Sequence, residues 1–293
     1  MQPGVLNLNK PAGATSFTMV RRLRALTGAR RVGHAGTLDP LATGVLPILF
    51  ESATRLADFA HLLPKTYLAD IQLGSRTATD DAEADLEPVA DPSGLTAAKV
   101  AAALEGFVGK VQQKPPAFSA VKIDGERAYK RARAGEDVEP ASREVEIHSV
   151  RLLEFEPGPR ARARIEVICG SGTYLRSLAR DLGERLEVGG HLGRLVRTAY
   201  GDLSLETAVD IEDLKDADAV AGRLLAMESL LPGLEAVRLT VEQEAMVRQG
   251  RSVRVLPEPG PGTLRAHADD GRLVAIGHAD PLRRTFVPDK VLA

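Results

Sequence analysis

The most constrained stretch of this chain is RRVGHAGTLDPLATGVLP, Arg30 to Pro47, and it contains a single acid, Asp39. Gly33, Gly36 and Gly44 give the backbone freedom on both sides, while Pro40 and Pro47 fix φ nearby. Such a loop can hold a carboxylate rigidly and let a ligand approach the main chain closely. A positioned carboxylate can attack carbon or remove a proton. Arginines nearby in sequence would keep it ionised at neutral pH. Asp before Pro also starts turns, so the loop by itself leaves both readings open.

Other chemistries leave no trace. There is no Gly-Lys-Ser/Thr phosphate loop, no Gly-x-Ser-x-Gly elbow and no His-Glu-x-x-His. The six histidines are scattered without ligand spacing, which argues against a metal site. One cysteine, Cys169 in IEVICG, permits neither an internal disulfide nor a thiolate-rich zinc cluster, and it reads as a reduced, buried strand residue. Any reaction is therefore expected to use side chains alone, with no cofactor.

The 293 residues are enough for one large domain, or for a large and a small one. A hydrophobic content of 44% can build ordinary cores. No apolar run approaches the roughly 18 residues of a membrane helix, and MQPGVLNLNKPAG lacks the layout of a secretory signal. A soluble, cytoplasmic chain is expected. The net charge of −2 does not suggest a nucleic-acid binder, but its distribution is uneven. Basic residues cluster at Arg21, Arg22, Arg24, Arg30 and Arg31, at Lys122, Arg127, Lys130, Arg131 and Arg133, and at Arg160, Arg162 and Arg164. Acids concentrate in TDDAEADLEP and DIEDLKDAD. Each basic cluster taken singly reads as a solvated face; three with segregated acids are compatible with a polyanionic partner.

The elements that must position Asp39 follow from pattern. VLNLNK, GVLPILF and TYLADIQLG read as strands, SFTMVRRLRALTG as a helix opened at Thr15 or Ser16 and closed by Gly28, and ATRLADFAHLL as a helix. LTAAKVAAALEGFVG is a helix that Thr96 caps. REVEIHSVRLLEFE and RARARIEVICG are long strands, and HLGRLVRTAYGDL a returning one. Leu175, Leu178, Leu182 and Leu186 make GTYLRSLARDLGERLE an amphipathic helix. This mixture predicts an α+β fold with a large mixed or antiparallel sheet carrying helices. From about Leu234 the pattern changes to a helix with a Thr240/Gln243 capping box and short strands, a small β-rich second domain.

Taken in order, several stretches resemble the bacterial TruB-type tRNA pseudouridine(55) synthases. GHAGTLDPLATGVLPI resembles their signature loop and NKPAGATS their N-terminal motif. KTYLADIQLGSRTATDDAEA resembles the lysine-x-tyrosine strand with its acidic segment, and KPPAFSAVKIDGERAYKRARAGE the RNA-gripping insertion. CGSGTYLRSLARDLGE and GGHLGRLVRT resemble the last two active-site stretches. The resemblance implies the pseudouridine synthase fold over residues 1–233, with the insertion at about 110–141, and a PUA-like RNA-binding domain over 234–293. It implies an isomerase that takes uridine in the T arm of tRNA, breaks the C1′–N1 bond, turns the base and joins C1′ to C5, working as a monomer. Binding and folding of tRNA without required catalysis is the alternative, and a carboxylate hydrolase a weaker one, since it would need a second acid at a defined distance.

The same resemblance makes Asp39 the essential nucleophile, with Arg176 and Asp81 as its orienting network and Tyr67 stacking on the flipped uracil. Tyr174 and Leu195 become pocket residues, His34 packs into the T loop, and Lys65 meets phosphate together with the Lys122–Arg133 group. Pattern alone would make Arg176 a surface helix charge, Asp81 a solvated loop acid and Tyr67 a strand-core aromatic. Ser171 departs from members that carry Lys there, which predicts a small loss of positive charge and no change of chemistry.

Overall fold

Among the described residues, strands over 4–210 build one large sheet and strands over 235–291 a smaller one, beside two short two-stranded pairs. The computed structural model describes residues 1–119, 121–123, 125–128, 131, 134, 136, 138–255 and 260–292, with backbone alone at 122, 123 and 127. In the expected phosphate-binding group, Lys130 and Arg133 and the side chains of Lys122 and Arg127 lie outside the described residues.

The strands of the first sheet are β1 (Gly4–Lys10), β2 (Val32–His34), β3 (Thr43–Phe50), β4 (Lys65–Leu73), β5 (Gly109–Gln113), β6 (Arg143–Glu156), β7 (Arg162–Cys169), β8 (Gly190–Tyr200) and β9 (Val209–Asp210). With the short pair-partner 203–204 they form a ten-stranded sheet of order β9-β1-β3-β8-β4-β7-β6-β5, and β2 lies on β3. The β1–β9 and β3–β8 pairs are parallel and the others antiparallel, so the sheet is mixed, as expected.

Its helices include α1 (Ser16–Thr27), α2 (Ala57–Leu62), α3 (Ala97–Glu105) and α4 (Leu175–Arg185). Thr15 caps α1 by accepting the Thr18 N–H at 3.0 Å, and Gly28 closes it in the left-handed region at φ 63°. Thr96 caps α3 in the same way. The helix expected over ATRLADFAHLL is shorter than its pattern: residues 51–56 are a 3-10 turn and α2 begins at Ala57. At the start of the expected insertion, residues 109–113 are a strand of the main sheet paired with 143–147.

On β1 and β3, successive residues feed opposite faces. Leu6, Leu8, Leu46 and Ile48 join the core beneath α1, α3 and α4, while Val5, Val45 and Leu49 join a second core on the other face. Burial on both faces is why GVLPILF is continuously apolar.

The second sheet contains β10 (Glu235–Arg238), β11 (Val253–Arg254), β12 (Thr263–His267), β13 (Leu273–Asp280) and β14 (Thr285–Val291), in the order β10-β12-β13-β14-β11. Helix α5 (Val241–Arg248) opens with the expected capping box between Thr240 and Gln243. This unit has its own core around Val247, Leu264, Val274 and Phe286. Leu273, Ile276 and Leu292 also pack with Val5 and Leu49, so the two sheets share apolar contact. Among the described residues no helix is long and apolar enough to cross a membrane.

Candidate active site

Asp39 sits on the loop between β2 and β3, and backbone contacts fix that loop. The Ser16 hydroxyl receives the Leu38 N–H at 2.9 Å and reaches the Leu38 carbonyl at 3.1 Å. Pro40 O accepts the Gly13 N–H at 2.8 Å, and Asp39 O accepts the Ala42 N–H at 3.1 Å. Beneath them lies Lys10, 0% exposed at the end of β1. Its ammonium donates to the carbonyls of Pro11 (2.8 Å), Ala14 (2.7 Å) and Pro40 (3.3 Å), tying both loops to one buried cation. Burial, opposed by the Asp39 charge, lowers its pKa to about 8.

The partner of Asp39 arrives from α4. Arg176 Nε lies 2.9 Å from Asp39 Oδ2 and 3.6 Å from Asp81 Oδ2. The Nε–H is not aimed well enough at either oxygen for a hydrogen bond, so these contacts are ion pairs. Its two terminal nitrogens donate to Thr79 O (3.2 Å) and Phe118 O (3.0 Å). Arg176 is 5% exposed, because the start of α4 is enclosed by the segments carrying these four partners. Asp81 is also buried and accepts from the Thr79 hydroxyl (2.6 Å) and the Glu83 N–H (3.0 Å). Both sequence patterns that read as solvated charge are overturned: a helix face is polar toward the core when buried carboxylates wait there.

One helical turn on, Arg180 reaches Asp80 Oδ2 at 2.8 Å and Lys114 O at 2.9 Å. It thereby clamps to α4 the two segments that hold the Arg176 guanidinium. Asp80 itself stands at φ 60°, the left-handed region.

Burial raises the Asp39 carboxyl above its ordinary value, Arg176 pulls it back, and Asp81 adds to the rise. The sequence expectation that neighbouring arginines hold it ionised is corrected twice. Arg30 and Arg31 are exposed, the pairing cation comes from α4, and desolvation outweighs it. The Asp39 side chain remains 34% exposed, and Oδ1 has no hydrogen bond among the described residues.

Tyr67 on β4 lies opposite Arg197 of β8 and Val167 of β7. It joins Leu195 and Leu38 in one apolar cluster, so the floor beside the loop is aromatic and aliphatic. Arg197, 1% exposed, donates to Val45 O (2.6 Å) and Gly36 O (3.1 Å), binding the loop's flank to the sheet. Gly44 is required there: at φ 101° a Cβ would stand 2.2 Å from Arg197 O.

The remaining expected site residues divide. His34 ends β2 half-buried, its buried Nδ1 without a hydrogen bond among the described residues; burial and the charges of Arg197 and His61 lower its pKa and favour the neutral imidazole. Tyr174 precedes α4, its backbone held by Gln113 and its ring under the Arg143 guanidinium at 4.8 Å. Lys65 does not present its charge to a phosphate. It is 5% exposed, donates to His61 O and Ser171 Oγ at 2.7 Å each, and burial lowers its pKa to about 8. Ser171, where a lost charge was expected, is thus the acceptor for Lys65.

Sequence reasoning missed Lys10 and Arg197. The signal for Lys10 was a lone cation closing an apolar strand before Pro. For Arg197 it was a place two residues after Leu195, on the strand's inward alternation.

Comparison with solved structures identifies the architecture. The chain superposes on the protein of a Cbf5-Nop10-Gar1 complex with TM-score 0.73 at 26% identity, covering 99% of this chain and 85% of that one. An archaeal box H/ACA sRNP Nop10-Cbf5 complex gives 0.72 at 23%, covering 99% and 86%, a likeness of fold alone. The fold is that of the pseudouridine synthases. Residues 24–175 match the TruB family pseudouridylate synthase (N terminal domain), and residues 176–236 the tRNA pseudouridylate synthase B C-terminal domain. Curated relatives include tRNA pseudouridine synthase B of Synechococcus elongatus (44% identical, 94% of this chain and 93% of that protein) and of Thermobifida fusca (42%, 94% of each). This chain belongs to the TruB family of pseudouridylate synthases. The boundary between the two family regions falls inside the site, with Asp39 on one side and Arg176 on the other, so neither holds the ion pair alone.

Proposed function

We propose that the protein isomerises uridine 55 in the T arm of tRNA to pseudouridine, with Asp39 as nucleophile. The observation that carries this reading is the Asp39–Arg176 pair, which holds Oδ2 of a side chain that is 34% exposed and leaves Oδ1 without a hydrogen bond among the described residues. The reaction exchanges the C1′–N1 bond for C1′–C5; C5 loses a proton and N1 gains one, so no oxidant or reductant is needed. The uridine must first leave its stack. Tyr67 then takes one face of the base and Leu195 and Tyr174 border it, while His34 fills space that the extruded nucleotide vacates. The relatives' names supply tRNA as substrate. In the same reading the sheet over residues 234–293 is a PUA-like domain adding RNA contact, the enzyme works as a monomer, and it resides in the cytoplasm.

The test compares wild type with Asp39→Asn on an unmodified tRNA transcript, reading binding and pseudouridine separately. Near-normal affinity without product is expected of the variant. Product from the variant would remove Asp39 from its role, and a wild type that binds without turnover would favour an RNA-folding protein.

A further inference from the structure

The three basic clusters of the sequence have different fates. Arg162 and Arg164 are neutralised within the sheet: Arg164 meets Asp70 at 2.7 Å and Glu154 at 3.2 Å, and Arg162 pairs with Glu156 and Asp70. Most side chains of the insertion cluster lie outside the described residues. The first cluster is different. Residues 1–38 contain no Asp or Glu at all, so Asp39 is the first acid of the chain, preceded by Lys10 and five arginines. Arg22 is paired, with Glu212 at 3.2 Å. Arg21, Arg24, Arg30 and Arg31 are exposed, and their side chains carry no ion pair or hydrogen bond among the described residues. Glu51 accepts the Arg30 backbone N–H at 2.9 Å, a bond that leaves the guanidinium unpaired.

The two helical arginines share one outward face, and the other two come soon after it in the chain. α1 buries Met19, Val20 and Leu23 and turns Phe17, Arg21 and Arg24 outward at helical spacing, with Phe17 64% exposed. Arg30 and Arg31 follow the helix end. Both ends of the surface touch the catalytic loop: Ser16 hydrogen-bonds Leu38, beside Asp39, and Arg31 leads into β2, which ends at His34. Clustered, unpaired guanidinium groups beside an exposed aromatic match a sugar-phosphate backbone, which offers regularly spaced anions and ribose faces.

We propose that the outer face of α1, with Arg30 and Arg31, is a second RNA-binding surface that grips the phosphates flanking the nucleotide delivered to Asp39. This rests on the tRNA reading above and adds the place where the RNA backbone runs. The contact is electrostatic and independent of base sequence, and it contributes affinity without touching the reacting atoms.

The test uses the full chain with Arg21→Ala, Arg24→Ala, Arg30→Ala and Arg31→Ala combined, and filter binding of an unmodified tRNA transcript over a salt series. The slope of log K against log salt should flatten by about 3, and affinity near 0.1 M salt should fall roughly tenfold or more. Pseudouridine formation at saturating enzyme should stay within about twofold of wild type. Lys at all four positions should restore the slope, separating lost charge from lost folding. Arg22→Ala, which removes a paired cation, should change the slope by less than about 0.5. An unchanged slope and affinity, or a saturating rate that falls in step with affinity, would overturn the surface while leaving the proposed reaction intact. A wild type with a steep, patch-dependent slope but no product would do the reverse.

Discussion

In the proposed role Asp39 must be ionised to react, yet its burial favours the neutral acid, with Arg176 opposing and Asp81 reinforcing. The reactive form is therefore lost as pH falls through a value above the ordinary 3.8. The acid limb of kcat/KM should reflect this raised value, and Asp81→Asn should move the limb to lower pH; a limb unmoved in that variant would detach Asp81 from the network. Arg176→Ala should cost on the order of a hundredfold in kcat, since a misplaced reagent of this kind loses that much, with a far smaller change in tRNA affinity. Lys10 has the opposite pH signature. Its folded pKa of about 8, against 10.5 ordinarily, means that burying the ammonium costs stability below pH 8. That cost is relieved as pH rises from 8 towards 10.5, by up to roughly 3 kcal/mol. Denaturation midpoints followed over this window should show a gain in wild type, relative to Lys10→Met, that grows with pH.

At the scale of elements, rigidity comes from close crossings and clamps. β3 approaches β8 so closely that Gly44→Ala would force its Cβ against Arg197 O in a backbone region strained for L residues. A loss of several kcal/mol is expected in urea unfolding. Gly28→Ala, also left-handed but with nothing within 4 Å, should cost only about 1–2 kcal/mol. Arg180→Ala would release Asp80 and Lys114 O from α4. Its kcat should fall several-fold while tRNA affinity stays within about twofold, because the residue positions the partners of Arg176.

Across the whole molecule, the second sheet serves as a support as well as a separate unit. Leu273, Ile276 and Leu292 cover Val5 and Leu49, which lie on the reverse of the strands that anchor Lys10 and Gly44. A chain ending at Gly233 should therefore melt at a clearly lower temperature than the full chain and bind hydrophobic dye, because two buried strands would gain a bare apolar face. An unchanged melting temperature would show that the shared contact contributes little.

Local pattern carried much of the architecture. Thr15, Thr96 and Thr240 mark helix starts because a cap is satisfied within three residues, and strand alternation reads out burial because neighbouring side chains point to opposite faces. The constrained Asp39 loop was visible for the same reason: glycine and proline act on their own φ. Roles for Arg176, Asp81 and Tyr67 came only by resemblance, since a charged helix residue and an acidic loop look solvated until their partners are known. Which cation meets Asp39, that Lys65 is buried against Ser171, and that Lys10 and Arg197 lock the loop were decided by tertiary structure. Those pairings join segments far apart in the chain, and desolvation, which sets the charge state of each group, exists only once the sheet and helices have closed around it.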